Sequence, residues 1–316
     1  MADSSANKVG LDVAVTGAGG LIGSALIRQL TTDRHRISRL VRRAAGPGEI
    51  SWDPAAGRLD PNDLEGLDAV VHLAGENVGV RWTTARKARI RDSRIQGTRV
   101  LSEALARTRR LPPVLVSASA IGIYGDRGDE ILTESSGPGP QEDFLAAVGQ
   151  EWEDAAAPAR EAGIRVVHPR FGVVLSPAGG ALGKMLLPFR LGLGGRLGEG
   201  SQWMSWISID DVVGALLHLV RNETLSGPVN VTAPEPLRNR DFTRTLGRVL
   251  SRPTPLPVPS IALRLVLGEM ADSTLLASVR VVPERLLASG YRFTHPDLET
   301  ALRHVLRPDR RATFPR

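Results

Sequence analysis

The chain has 316 residues, 42% of them hydrophobic, and carries 40 lysines and arginines against 34 acidic residues for a net charge of +6. That is long enough for a complete α/β domain with a smaller one appended, and too apolar for disorder to be the default. Cysteine is absent, which excludes disulfides, thiolate nucleophiles and Cys-ligated zinc together.

No apolar run reaches the ~18–20 residues that span a bilayer. The opening MADSSANK lacks the apolar core of a secretory signal, so a cytoplasmic location without a membrane partner is expected. Lysine occurs only at Lys8, Lys87 and Lys184, and the arginines are scattered apart from a C-terminal cluster, Arg303 to Arg316, that reads as a solvated tail. A nucleic-acid surface would need basic residues on one face with aromatics between them, so no nucleic-acid partner is expected. The excess charge favours phosphorylated or carboxylated small molecules.

Residues 11–16, LDVAVT, read as a buried strand, followed by a glycine turn and an apolar-periodic helix over 21–30. Strands are expected over 37–41 and 69–73, the second closing on Ala74 and Gly75, and a helix over 86–107. A strand over 114–119, entered through Pro112 and Pro113, precedes a helix over 144–162 that ends at Gly163, then a strand over 165–175. Strands alternating with helices imply parallel pairing through crossovers, hence an α/β fold with a doubly wound parallel sheet of the Rossmann type. Eight glycines between Gly179 and Gly200 surround Met185 to Phe189 without clear periodicity, which reads as a mobile loop over a site. Strands over 206–209 and 228–232 flank a helix opened by Asp210 and Asp211. Beyond Pro234, helices over 239–250, 261–267, 269–279, 283–288 and 296–305 are separated by proline-rich turns. Pro283 and Pro296 fall in first turns and Gly290 at a left-handed cap. The expected organisation is a dinucleotide-binding domain over 1–178 and 204–233, with a glycine-rich lid segment over 179–203 and a mainly helical C-terminal domain over 234–316.

The segment Thr16-Gly17-Ala18-Gly19-Gly20-Leu21-Ile22-Gly23 spaces glycines as G-x-x-G-x-x-G directly after a strand and before a helix. Gly17 permits the tight turn, Gly20 lets backbone approach a pyrophosphate, and Gly23 lets the helix pack close to the strand. The helix N-terminus offers amides and partial positive charge to the phosphates. About 20 residues farther on, where an acidic residue would bind the ribose 2′-hydroxyl of NAD, stand Arg42 and Arg43. No acid occurs between Ser38 and Gly48. Guanidinium groups there, Arg39 included, would pair with the 2′-phosphate of NADP, so NADP(H) is preferred over NAD(H); the alternative is that they face solvent. Leu73, Ala74, Gly75, Glu76 and Asn77, at the tip of the third strand, are expected beside the cofactor.

The order of the Gly17–Gly23 turn, Ala74-Gly75, Ser117-Ala118-Ser119 leading to Tyr124-Gly125, Pro169-Arg170 and Trp206 to Asp211 resembles an extended short-chain dehydrogenase/reductase. Gly75-Glu76-Asn77-Val78, Ser93-Arg94, Trp152-Glu153 and Leu187 to Gly195 resemble, more narrowly, the NAD(P)-dependent epimerase-family proteins of the atypical branch, the cell-division-inhibitor-like subgroup. In ordinary members a tyrosine and a lysine four residues later exchange the proton, with a nearby serine polarising the substrate oxygen. Here Tyr124 is followed at that spacing by Gly128 and Tyr291 by His295, so no such pair exists. The place where it would fall holds Phe144 or Leu145 and then Val148 or Gly149.

If hydride transfer occurs, the resemblance leaves Ser117 and Ser119 to polarise the substrate, Tyr124 as a displaced proton donor, and Lys87 or Arg94 as charge. The alternatives are that Ser119 bonds backbone in a turn, Tyr124 packs beside the cofactor and Lys87 is an exposed helix charge. Pro169 and Arg170 end a strand where such sheets face the ligand crevice; Arg170 touches a ligand or forms an internal ion pair. Asp211 reads as a helix-start cap. His72, His168 and His218 read as core, and no metal site is expected. Two functions follow. One is an NADPH-dependent oxidoreductase or epimerase-like enzyme acting on a small substrate, with Lys184, Arg190 and Arg196 supplying positive charge. The other is a non-catalytic NADPH sensor signalling through the C-terminal helices. Either a monomer or a homodimer is compatible with the sequence.

Overall fold

The computed structural model describes residues 10–307; residues 1–9, with Lys8, and 308–316, most of the basic C-terminal cluster, lie outside the described residues. The first strand, β1 (Asp12–Thr16), is buried along its whole length, as a central strand covered on both faces must be. It feeds through the glycine turn into α1 (Leu21–Thr32), whose Ala25, Leu26, Ile27 and Leu30 face the core. There follow β2 (Arg36–Val41), β3 (Glu49–Ser51), β4 (Ala69–His72), α2 (Thr84–Leu105), β5 (Val114–Ser117), β6 (Ser119–Ala120), β7 (Ile131–Leu132), α3 (Phe144–Asp154), α4 (Ala157–Glu161) and β8 (Arg165–Phe171). The second half contains β9 (Val173–Leu175), α5 (Gly180–Arg190), β10 (Trp203–Met204), β11 (Trp206–Ser208), α6 (Ile209–Arg221) and β12 (Gly227–Val231). After these come β13 (Leu237–Arg238), α7 (Asn239–Leu250), α8 (Ser260–Leu267), a π-helical turn Ala271–Leu276, β14 (Arg280–Val281), α9 (Glu284–Ala288) and α10 (Leu298–Val305).

The main sheet has eight strands, ordered β12-β8-β5-β4-β1-β2-β3 with β6 beside β8, and its pairings are parallel. This is the doubly wound Rossmann-type sheet that the alternation of elements implies. The strand order reverses between β1 and β4, so the crevice for a ligand opens at their carboxyl ends. The register sets Thr16 level with both Leu40 and His72, which brings the tips of β1, β2 and β4 to one edge.

Several elements differ from the sequence reading. The strand expected over 165–175 breaks at Gly172, where a Cβ would stand 2.7 Å from the Ser205 carbonyl oxygen. There β9 leaves the main sheet and pairs with β11. The helix expected over 144–162 is two helices, because Pro158 lies in the first turn of α4 and a proline cannot supply the amide a helix interior needs. The helix expected over 269–279 is reduced to the π-helical turn, and Pro296 lies outside α10, which is capped by Asp297 accepting from the Thr300 amide at 2.9 Å. Gly290 follows α9 with φ +83, as a left-handed cap should.

The largest correction concerns the glycine-rich segment. Residues 180–190 form α5, and its Leu182, Leu186 and Phe189 pack with Leu175, Trp206, Phe242, Leu246, Leu298 and Leu302 in one core cluster. The helix that was expected as a loop is therefore the shared floor of the C-terminal helices. Asp211 is not the helix cap either. Ser208 caps α6, its Oγ accepting from the Asp211 amide at 3.0 Å. The buried Asp211 carboxylate instead accepts from the Ser208 hydroxyl at 2.7 Å, the Thr294 amide at 2.6 Å and the His295 amide at 3.0 Å. It ties the C-terminal segment to the start of α6. His72 and His168 are buried, while His218 is half-buried against the Tyr291 ring. Among the described residues no helix is long and apolar enough to cross a membrane.

The packing of α5 can be checked by paired truncations. Leu186→Ala removes a buried side chain and is expected to lower unfolding free energy by about 2–4 kcal/mol, whereas Leu187→Ala, at an exposed neighbour, should stay within about 0.5 kcal/mol of the parent. Equal insensitivity at both positions in chemical denaturation would return the segment to a loop.

Candidate functional site

The site begins with the close approach of two strand tips. Gly17 has φ +65, and a Cβ there would lie 2.7 Å from the Leu73 carbonyl, so both the conformation and the space require glycine. A Cβ on Gly23 would overlap the Gly17 carbonyl oxygen, one on Gly20 would stand 3.2 Å from it, and one on Gly19 would meet nothing. The Gly20 amide donates to the Gly17 carbonyl at 2.9 Å, and the first intrahelical bond runs from Ser24 to Gly20. The amides of Leu21 and Ile22 precede that bond and are left to a ligand or solvent.

Thr16 fixes the other side of the crossing. Its buried Oγ1 accepts from the amides of Leu73 at 3.0 Å and Ala74 at 3.1 Å and lies 2.7 Å from Nδ1 of His72. With two donors already aimed at it, the hydroxyl gives its own proton to Nδ1. His72 then carries its proton on Nε2, 3.0 Å from Thr98 Oγ1, an assignment made from the hydrogen-bond network. Trp152 donates to the same Thr98 oxygen at 3.0 Å. Burial pushes the His72 imidazole down to about 4, so it is neutral in this chain of contacts.

A cleft of about 700 Å³ opens over these tips, lined by the glycine turn, by Arg39 to Arg43, by Glu49 and Trp52, and by Leu73 to Glu76. Arg43 makes a two-pronged contact with Glu49, both N–O distances 2.7 Å. The Arg43 hydrogen bond and a backbone bond from Gly46 hold the Glu49 carboxyl below its ordinary value. Arg42 is exposed on the same rim and its guanidinium has no ion-pair partner among the described residues. Glu49 lies one residue beyond the acid-free stretch from Ser38 to Gly48, at the start of a three-residue strand too short for periodicity to mark it.

The remaining candidates divide between rim and interior. Glu76 lines the cleft and pairs with Arg86. The Arg94 guanidinium lies against Gly75, donates to the carbonyls of Glu76 at 3.1 Å and Ile90 at 3.0 Å and stacks on Trp152. Desolvation lowers it to about 10, which leaves it charged at neutral pH. Lys184 donates to the Gly79 carbonyl, so α5 reaches across the strand tips from Leu21, whose side chain lies against Gly179 and Gly180. Arg190 is about 9 Å farther along the helix and is not brought to the same place. Lys87 pairs with Glu269 at 2.8 Å and covers the Phe144 ring. Phe144 and Leu145 pack with Val78, Trp82, Met270 and Leu275, while Val148 and Gly149 are buried.

Tyr124, Ser119, Pro169 and Arg170 do not line the cleft. Arg170 holds Glu153 with both arms, at 2.7 and 2.8 Å, and donates to the Tyr124 hydroxyl at 2.9 Å. Burial opposes the Arg170 charge, but the bonds and charge of Glu153 outweigh it and raise its pKa. Ser119 donates to Glu153 at 2.6 Å. Tyr124 is fully buried, its hydroxyl 2.8 Å from Asn230 Oδ1 and 3.0 Å from the Thr133 carbonyl; burial raises its pKa. These contacts give Arg170 the internal ion pair that was one of its two expected roles and engage the Tyr124 hydroxyl inside the protein. Ser119 bonds a carboxylate rather than backbone in a turn, and Pro169 is buried inside β8. The Ser117 hydroxyl is also buried, with no hydrogen-bond partner among the described residues.

The His72 contacts give a signed pH dependence. The imidazole titrates near 6.5 when unfolded and about 4 when folded, so the unfolded chain binds the extra proton between those values. Stability is full above the unfolded value and falls as pH drops from about 6.5 to about 4, by about 3 kcal/mol. The difference in unfolding free energy between the parent and His72→Gln should therefore shrink on acidification; a pH-independent difference would refute the buried neutral imidazole.

The epimerase model described as the NAD dependent epimerase/dehydratase family matches residues 13–232, and a domain of unknown function (DUF1731) matches residues 258–305. Epimerase family protein Mb2239 of Mycobacterium bovis is 47% identical over 292 residues, 92% of this chain and 96% of that protein. The crystal structure of the human epimerase family protein SDR39U1 (isoform 2) with NADPH is similar with a TM-score of 0.85 at 36% identity, covering 93% of this chain and 99% of that one. The nucleoside-diphosphate sugar epimerase from Corynebacterium glutamicum gives a TM-score of 0.78 at 39% identity, over 94% of this chain and 58% of that one. With the glycine turn, the strand order and these relatives in agreement, the chain belongs to the NAD dependent epimerase/dehydratase family.

Proposed function

We propose that the chain binds NADP(H) in the cleft over β1, β2 and β4 and acts as an oxidoreductase or epimerase-like enzyme on a small substrate beside α5. The observation that carries this reading is the rim of the cleft. Glu49, which opens the third strand and lines the cleft beside the arginines, is engaged by Arg43, while Arg42 remains available for a 2′-phosphate. The residues fit a dinucleotide: Gly17, Gly20 and Gly23 clear the backbone for a pyrophosphate, and the amides at the start of α1 face it. The related human protein was crystallised with NADPH, which supports the same cofactor here. When bound, the cofactor supplies or accepts hydride at its nicotinamide.

On the substrate side, Lys184 places positive charge beside Asn77 and Gly79, which favours a carboxylate or phosphate group. Arg94, charged and fixed behind Gly75, adds to the same field. A second reading, a cofactor-binding sensor without turnover, is favoured by one observation: Phe144, Leu145, Val148 and Gly149 stand where an ionisable pair would be, and Tyr124 is enclosed.

Two measurements separate these readings. In titrations with NADPH and NADH, Arg42→Ala should weaken NADPH about ten-fold or more, roughly 1.4 kcal/mol, and leave NADH little changed; equal affinity of the parent chain for both cofactors would overturn the preference. In a screen of carbonyl compounds followed by cofactor absorbance, sustained NADPH oxidation would support the enzyme. Tight binding without turnover on any of them would support the sensor.

A further inference from the structure

The C-terminal segment meets the start of α6 in a cluster that the dinucleotide cleft does not use. Asp210 stands in the first turn of α6, His295 in the loop before α10, and His304 in the last turn of α10. Nothing in the spacing of these residues signals a common site, since the two histidines are nine positions apart and neither repeats at a helical interval with Asp210. The fold brings them together. Oδ2 of Asp210 is 3.1 Å from Nε2 of His304 and 4.0 Å from Nε2 of His295. One donor atom from each residue lies within 4.8 Å of the other two, and the imidazole rings are 4.3 Å apart with a 30° tilt.

We propose that Asp210, His295 and His304 bind one divalent transition-metal ion of the zinc type, which fastens the C-terminal segment to α6. Zinc takes imidazole nitrogen at about 2.0–2.1 Å and carboxylate oxygen at about 2.0–2.2 Å, so tetrahedral donors stand about 3.3–3.4 Å apart. The Asp210–His304 separation is already at that value within a few tenths of an ångström. The His295 donor, 4.0 Å from the carboxylate and within 4.8 Å of His304, needs a closure of at most about 1.5 Å, which the half-exposed side chains of Asp210 and His304 can supply. Two imidazoles and one carboxylate suit zinc or its first-row neighbours rather than magnesium or calcium. Three protein donors leave a fourth position for water.

The donor that an ion would complete is the enclosed one. Nε2 of His295 is buried and has no hydrogen-bond partner among the described residues, although its side chain is 13% exposed overall. An ion pair between Asp210 and His304 alone would leave that nitrogen unmatched; a shared metal satisfies all three. The donors are also held in place. Asp211 accepts from the amides of Thr294 and His295, which fixes the loop beside its neighbour Asp210. Asp297 caps α10, and the burial of Leu298, Ala301, Leu302 and Val305 sets which face of that helix carries His304. Two of the three donors lie within the 258–305 segment that matches a domain of unknown function.

The test uses the full chain without a histidine tag, stripped with a chelator and titrated with zinc chloride in a calorimeter. The expected result is about one ion per chain at micromolar affinity or tighter, with a thermal midpoint several degrees higher when zinc is present. His304→Ala, at a half-exposed position, and Asp210→Asn should each weaken binding at least about ten-fold while leaving the midpoint of the metal-free chain within a few degrees of the parent. No binding by the parent chain at tens of micromolar zinc, or binding that survives unchanged in both variants, would overturn the proposal.

Discussion

The cleft depends on one backbone crossing, the passage of Gly17 against the carbonyl of Leu73. A side chain at Gly17 would drive β1 and β4 apart at their tips, and the strand-order reversal there would no longer open a crevice of the right width. Thr16 holds the crossing shut from inside. One hydroxyl takes two amides from the β4 tip and gives its proton to His72, so the polar groups freed where the strands separate are matched rather than left buried and unpaired, each of which would cost about 1–3 kcal/mol. The turn above can then keep small residues, Gly17-Ala18-Gly19-Gly20, and the amides at the start of α1 are left for a ligand.

Farther along the sheet the same logic consumes the groups that would otherwise look catalytic. Arg170 and Glu153 are buried together, and breaking such a pair by removing one partner typically costs about 3–5 kcal/mol because a charge is left unmatched. The pair recruits Ser119 and Tyr124 as additional hydrogen-bonding partners, and Asn230 and Glu134 extend the polar contacts toward β12 and α9. A tyrosine so engaged is poorly suited to proton exchange, since burial raises its pKa. The positively charged groups that line the cleft are instead Arg28, Arg39, Arg42 and Arg43, with Arg94 behind Gly75 and Lys184 on α5 beside Gly79.

The sheet was legible because its signals are local. The buried run of β1, the glycines at 17, 20 and 23, and the alternation of strand and helix each fix an element without reference to distant residues. The cofactor side of the site follows from the same local signals. What could not be read depends on contacts far apart in sequence. The α5 stripe of Leu182, Leu186 and Phe189 is helical in spacing, but its core partners lie in α7 and α10, and the surrounding glycines lower the intrinsic helix preference. Asp211 looks like a cap until the 294–295 loop is placed over it. Glu153 was visible only as part of a resemblance, because nothing local announces that Arg170, seventeen residues on, will reach it.

On the proposed function, the packing of α5 constrains how a substrate would reach the cofactor. Three buried side chains anchor the helix, and exposing each costs about 1.5–3 kcal/mol, so a swing of the whole helix would cost several kcal/mol and would also uncover the core it shares with α7 and α10. Opening a rigid lid at this cost would leave the open form scarcely populated, unless a ligand repaid the difference. A small substrate would avoid the problem, because displacing the exposed Lys184 side chain from the Gly79 carbonyl opens the Asn77–Gly79 loop while the apolar face of the helix stays in place. On that reading the helix would set the size of the space beyond the cofactor, and Lys184 the preferred charge. Selectivity on that side would then come from the core that holds α5 rather than from a loop that closes over the ligand.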